Sequence, residues 1–347
     1  MTLKKRIEWI DAAKGLGIFL VVLGHALPET SIVATTIWVF HMPLFFFLSG
    51  LNVKSWQPGG AHSLLRGIKG LLVPYVFFSV VSIILWLLAT GEVISAESWG
   101  TQLHQMAYGV AGVEGGLRYN VPLWFFTCLL SVRLLFALIT AVFKSTLSRV
   151  IVALCLAMLA HVSLYPYFYS LVWNLDVAFA ALLFFGAGYL LQDARVPSSF
   201  DPRTLRQVIC AGSVVVVAAA VLINGRVDMN GRGFGNPLVF YLAAFAGIAL
   251  MVELSKRCAG IGILRTVGYA TIVIFPLHIL FGLLPYRIMP IATWYAFRLT
   301  HSDVLAAVVV ALIEIALCLP VYFAIMRWSP EVIGQSRVRG PSAYVSA

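Results

Sequence analysis

The chain alternates long apolar runs with short polar breaks. Runs of roughly 17–25 apolar residues cross a bilayer as helix, and ten can be placed, at about 10–27, 32–52, 71–90, 121–143, 150–166, 172–191, 207–224, 237–254, 269–286 and 303–326. The strands of a membrane barrel would be shorter and would alternate apolar with polar positions, so these runs are helices. The pattern predicts an all-α, polytopic membrane bundle. No break between runs is long enough for a separate soluble domain, so residues 1–347 form one transmembrane domain. The longest outer break, about residues 91–120, holds Glu92, Glu97, Glu114, aromatics and glycines and has the length of a lid.

Composition agrees with the pattern and charge orients it. Hydrophobic residues make up 61% of the 347 positions and charged residues only 11%, far less charge than a soluble domain carries. With the N-terminus placed in the cytoplasm, 17 of the 24 Lys and Arg fall on the inner side, five on the outer side, and two, Lys14 and Arg133, within spans. Cytoplasmic loops carry such an excess, and an odd number of spans would abolish it, so both termini are expected inside. The net charge of +10 is then this bias, and no basic tract points to nucleic acid. The first run has the outline of a secretion signal, but Asp11 and Lys14 interrupt it and more spans follow, so it is expected to be retained. Cys128, Cys155, Cys210, Cys258 and Cys318 lie singly in spans or at span ends. Without a CxxC pair they suggest neither a disulfide framework nor a metal site.

The polar exceptions inside the spans carry the candidate chemistry. In "KGLGIFLVVLGHA", residues 14–26, Lys14 and His25 are eleven positions apart. On an α-helix they share a face but stand ~16 Å apart along the axis. Asp11 lies one turn below Lys14 on the same side. Lys14 either snorkels to the inner headgroups with Asp11 as partner, or marks a functional path, as intramembrane charge commonly does. His41 falls mid-span in "VFHMPLFFFLSG", where Pro43 frees a carbonyl one turn earlier and Ser49 and Gly50 permit close packing. His278 falls mid-span in "IVIFPLHILF". Three histidines at middle-to-outer depth on three spans point to a common cavity where protons move, with a neutral imidazole as general base. Arg66 and Lys69, on one face before Pro74, are either inner-surface charges or phosphate ligands. Asn120 and Trp124 open the fourth span from outside; Trp124 suits an interfacial anchor or a substrate platform. Arg133 needs a partner, for which Glu314 is the available carboxylate. A transporter or flippase for a glycan precursor also uses broken helices and mid-depth polar groups, but no inverted repeat is visible.

These motifs, in this order, resemble the acyltransferase-3 family, bacterial membrane enzymes that O-acetylate sugars of surface polysaccharides. The likeness rests on Lys14-x10-His25 within "WIDAAKGLGIFLVVLGH", on "FHMPLFFFLSG", on "LLVPY" after Arg66 and Lys69, on "PLWFF", and on "IFPLHILF". The "HMPLFFFLSG" segment is most similar to the fucose 4-O-acetylase-like branch, which includes exopolysaccharide acetyltransferases. Position 14 is often arginine in the family; lysine keeps the charge but not the planar fork.

The resemblance implies acetyl-CoA as donor and no metal. Arg66, Lys69 and Arg149 would hold its phosphates at the inner surface, and its pantetheine arm would run past Lys14 toward His25. His25 would act as general base or acetyl carrier, Lys14 would stabilise negative charge, and His41 or His278 would orient His25 or bind sugar. Asn120, Trp124 and Asp11 would contact the acceptor, a polysaccharide or lipid-linked oligosaccharide. The resemblance also implies a multi-pass protein of the bacterial inner membrane that works beside polysaccharide-assembly proteins.

Overall fold

The computed structural model describes residues 7–53, 61–90, 96–111, 117–161, 170–192, 202–283, 297–298 and 300–335. They form α1 (Glu8–Ala26), α2 (Ile32–Leu51), α3 (Ala61–Thr90), α4 (Ala96–Tyr108), α5 (Trp124–Val142), α6 (Thr146–His161), α7 (Leu175–Leu190), α8 (Pro202–Asn224), α9 (Pro237–Arg257), α10 (Gly262–Leu283) and α11 (Asp303–Trp328). Among the described residues the only bridge outside helices pairs Asp228 with Gly233. The protein is a polytopic helical membrane bundle.

Among the described residues nine of these helices are long and apolar enough to cross a membrane, α5 and α7 counted together with the 3-10 turn that leads into each (Val121–Leu123 and Val172–Asn174). The run expected at 150–166 is the exception: α6 begins earlier, at Thr146, and its 16 residues fall short of that length. It nevertheless joins the two ends of the bundle. At its start Arg149 donates to the Phe143 carbonyl, and at its end His161 meets Tyr241 and packs against Phe234. Helix α3 starts ten residues before the predicted span, which puts Arg66 and Lys69 on its inner turns. Within the expected lid, residues 91–95 and 112–116 lie outside the described residues. The helix α4 between them is tied to the outer end of the bundle by Tyr75 Oη–H to the Met106 carbonyl (2.6 Å) and Trp173 Nε1–H to the Ala107 carbonyl (2.9 Å).

Local sequence sets the helix ends. Extended Leu27 ahead of Pro28 stops α1. Ser31, Asn236 and Ser302 cap α2, α9 and α11 by accepting from backbone N–H groups of the first turn.

Helix α1 is central, packed against α2, α9, α10 and α11. Its tightest approach is to α10. A Cβ on Gly15 would collide with the Leu264 carbonyl oxygen, and one on Gly268 with the Asp11 carbonyl oxygen. Small residues let helix backbones meet where lipid supplies little hydrophobic drive for association. Gly50 of α2 and Gly188 of α7 make a second such contact, fulfilling the packing role read for Gly50. The α1–α10 contact fixes the two helices in one register, and His25 and His278 are brought together by it.

Candidate active site: two cavities and an aromatic partition

Among the described residues, two cavities open toward opposite ends of the bundle. The inner one, about 510 Å³, is lined by Lys14 of α1, Arg66 of α3 and Arg133 of α5, with apolar walls from α2, α5 and α10. No carboxylate appears among its described lining residues. This volume lies in the range of small-molecule sites, and three cations without a lining acid suit an anionic ligand.

Arg133 does not pair with Glu314. Its Nη1–H donates to the Gly67 carbonyl (3.0 Å), and its buried Nε–H finds no acceptor among the described residues. An unsatisfied buried donor is costly, and here it belongs to a group lining the cationic cavity. Lys69 is exposed and does not line the cavity. Arg149 is turned away: its guanidinium donates to the Phe143 (2.8 Å) and Thr140 (3.4 Å) carbonyls and caps the end of α5. Asp11 is buried one turn below Lys14, against α10, and lines neither cavity.

The outer cavity, about 290 Å³, holds His25 and His41 with Trp38, Trp124, Glu29, Arg226, Asp228 and Asn230. The three histidines form a cluster around His25. The His25 ring lies 5.3 Å from His278 and 5.3 Å from Trp38, and Trp38 lies 5.3 Å from His41, centroid to centroid. His25 is exposed at the cavity wall, whereas His41 and His278 are buried.

The two buried imidazoles share one device. His41 Nδ1 lies 3.0 Å from the Ile37 carbonyl and His278 Nδ1 lies 3.2 Å from the Ile274 carbonyl, each four residues earlier. A carbonyl only accepts, so in the neutral ring Nδ1 carries the proton and Nε2 keeps its lone pair. His278 Nε2 is buried and has no hydrogen-bond partner among the described residues. Its helix is pinned by Asn120, whose Nδ2 donates to the Pro276 carbonyl (2.8 Å) and to Ser82 Oγ (2.9 Å). Asn120 itself is buried and lines neither cavity.

Trp38, Arg226 and Asp228 are site residues that the sequence did not single out. Trp38 was legible, three positions before His41 on the same helix face. Its Nε1–H reaches the Gly24 carbonyl at 3.5 Å, and the Arg226 guanidinium lies 4.1 Å above its ring. Arg226 also pairs with Glu29 at 3.5 Å. Arg226 and Asp228 belong to the turn between α8 and α9, which the tertiary structure folds back over the cavity. Asp228 and Gly233 exchange two backbone hydrogen bonds of 2.8 Å. Arg232 locks this turn to α7 through Asp176 (2.7 Å) and Asn174 (3.3 Å).

The two cavities meet at one side chain. Phe275 alone, among the described lining residues, faces both. Its ring packs with Phe125 (5.2 Å), Phe126 (6.3 Å) and Phe45 (6.4 Å), and stands 6.2 Å from His278. The single passage expected between Lys14 and His25 is therefore two chambers with an aromatic wall between them.

The membrane bundle thus carries a cationic chamber toward one end and a histidine chamber toward the other, an arrangement suited to an intramembrane enzyme. A family model described as an acyltransferase domain, acyltransferase type 3, matches residues 7–325. The chain belongs to that family, and it is a multi-pass membrane acyltransferase. No curated protein and no solved structure matches the chain.

Proposed function

We propose that the protein moves an acetyl group from cytoplasmic acetyl-CoA to a sugar hydroxyl of a bacterial surface or exopolysaccharide, or of its lipid-linked precursor, in the inner membrane. One observation carries this: the two ends of α1 serve opposite chambers, Lys14 in a carboxylate-free cationic one and His25 in a histidine-lined one. The acetyl group is small enough for such a partitioned site. The likeness of "HMPLFFFLSG" to the exopolysaccharide-acetylating branch supports the acceptor class.

The donor enters from inside. Its phosphates lie toward Arg66, with Arg133 and Lys14 deeper along the arm, and Arg133 supplies the spare N–H. The acceptor enters from outside, between the aromatic faces of Trp38 and Trp124 and the polar groups of Asp228 and Asn230. His25 takes the proton of the sugar hydroxyl, the oxygen attacks the acetyl carbon, and the C–S bond breaks as the C–O bond forms. The thiolate departs toward Lys14, whose charge stabilises it, and the proton held on His25 is released to solvent or to the thiolate, giving CoA thiol. Transfer through an acetyl-His25 intermediate has the same balance.

The test is transfer of label from acetyl-CoA to glycan by the purified protein. His25→Ala is expected to lose ~10²–10⁴ of the rate while keeping its fold and CoA binding. Activity within tenfold of the parent excludes His25 as base or carrier. Surface polysaccharide lacking one acetyl mass per repeat in a strain without the gene identifies the acceptor; glycan unchanged in mass excludes it.

A further inference from the structure

We propose that Phe275 is the acyl-selecting partition of the enzyme: it limits the transferred group to a short one and keeps water of the outer chamber from the thioester. The inference rests on the proposed acetyl transfer, which requires the acyl carbon to come from the inner chamber to a base in the outer one. Phe275 stands on that line. It faces both cavities, it is 4% exposed, and Phe45, Phe125 and Phe126, its ring neighbours, all line the inner chamber. A group reaching past it therefore competes with the aromatic cluster for space.

The backbone beside it is built to yield. Pro276 follows Phe275 and cannot donate to the Ile272 carbonyl, so the regular ladder of α10 is interrupted at the partition. Ile272 and Thr271 line the inner chamber one turn below, and His278 sits one turn above with its Nε2 unpartnered. A small bend at this point moves Phe275 relative to both chambers, while Asn120 holds the Pro276 carbonyl in place.

Without the ring, the chambers merge and two effects follow. Longer acyl groups fit, since each methylene in such a pocket changes selectivity by about tenfold or more. Water also reaches the thioester: its oxygen attacks the acyl carbon, the C–S bond breaks, and free carboxylic acid and CoA thiol are released.

The full-length protein in proteoliposomes, given acetyl- or butyryl-CoA with and without acceptor, provides the test. Phe275→Ala is expected to raise the butyryl-to-acetyl rate ratio about 100-fold, about tenfold for each of the two added methylenes, and to raise CoA release without acceptor. Phe275→Leu, the milder change, gives an intermediate ratio and serves if the alanine variant does not fold. A separate readout needs no turnover. Thr271→Cys is treated with a membrane-impermeant cationic methanethiosulfonate from either side, counted above the parent's own cysteines. With Phe275 present it labels from inside only; combined with Phe275→Ala it labels from both sides. Folded Phe275 variants with an unchanged acyl ratio, or outer labelling of Thr271→Cys with Phe275 in place, overturn the proposal. If the parent protein releases no CoA even with acceptor, the acetyl-transfer proposal fails, and the labelling alone decides the partition.

Discussion

Lys14 and His25 stand on one helix but in different chambers, and this separates their tasks. In the proposed reaction Lys14 acts on the donor. Lys14→Ala is expected to raise the KM for acetyl-CoA or lower turnover by at least tenfold, and Lys14→Arg to restore part of it, because the charge matters more than the fork. Steady-state kinetics check this; full activity of Lys14→Ala leaves only snorkelling for this side chain. His278 offers a different kind of prediction. Its Nδ1–H is held by the Ile274 carbonyl and its Nε2 has no partner, so the useful atom is Nε2. Glutamine places an acceptor near that atom and asparagine does not. His278→Gln is expected to keep activity within about tenfold, whereas His278→Asn, which presents no acceptor at that point, loses ~10–100-fold, equivalent to ~1–3 kcal/mol. Equal loss in both variants, with CoA binding intact, excludes a role for Nε2.

Single residues act here only because particular helices meet at fixed register. The glycines of α1 and α10 remove side chains where Asp11 and Leu264 carbonyls approach. Gly268→Ala forces a methyl against the Asp11 carbonyl and is expected to cost ~1–3 kcal/mol, seen as a lower unfolding temperature together with reduced transfer, since His25 and His278 separate. Gly186→Ala on α7, where an added Cβ meets nothing within 4 Å, is the neutral control. The α8–α9 turn is a second such case. Arg232 is 8% exposed and Asp176 20%, and removing one partner of a buried pair costs ~3–5 kcal/mol. Arg232→Ala is expected to release the turn that carries Arg226 and Asp228, raising the acceptor KM with little effect on the acetyl-CoA KM. Equal effects on both constants exclude a role confined to the acceptor side.

At the scale of the whole molecule, the proposed reaction makes the bundle a two-sided device, with donor and acceptor chambers facing opposite ends. In sealed vesicles of known orientation, acetyl-CoA is expected to support transfer only from the side bearing the N-terminus and Arg66; transfer from the opposite side excludes this arrangement. The helical membrane bundle and the Lys14–His25 spacing were legible because each is a one-dimensional quantity: a run length, a helical repeat. Other features were not. Arg149 has the charge of a phosphate ligand, but it is used up on the carbonyls at the end of α5. Arg133 invited a carboxylate partner on α11 and instead reaches Gly67 on α3 and the inner chamber. Arg226 and Asp228 look like ordinary loop residues until the turn folds over Trp38.

The sequence by itself determined a helical membrane bundle, its family, and the residues of the central polar stripe, because apolar length and residue spacing along a helix depend on the chain alone. Tertiary structure decided which helices are neighbours, and with them the histidine cluster, the cationic chamber formed by α1, α3 and α5, and the phenylalanine wall between the two cavities. Those depend on which backbones approach closely enough to pack, a property of pairs of helices far apart in the chain that no local pattern encodes.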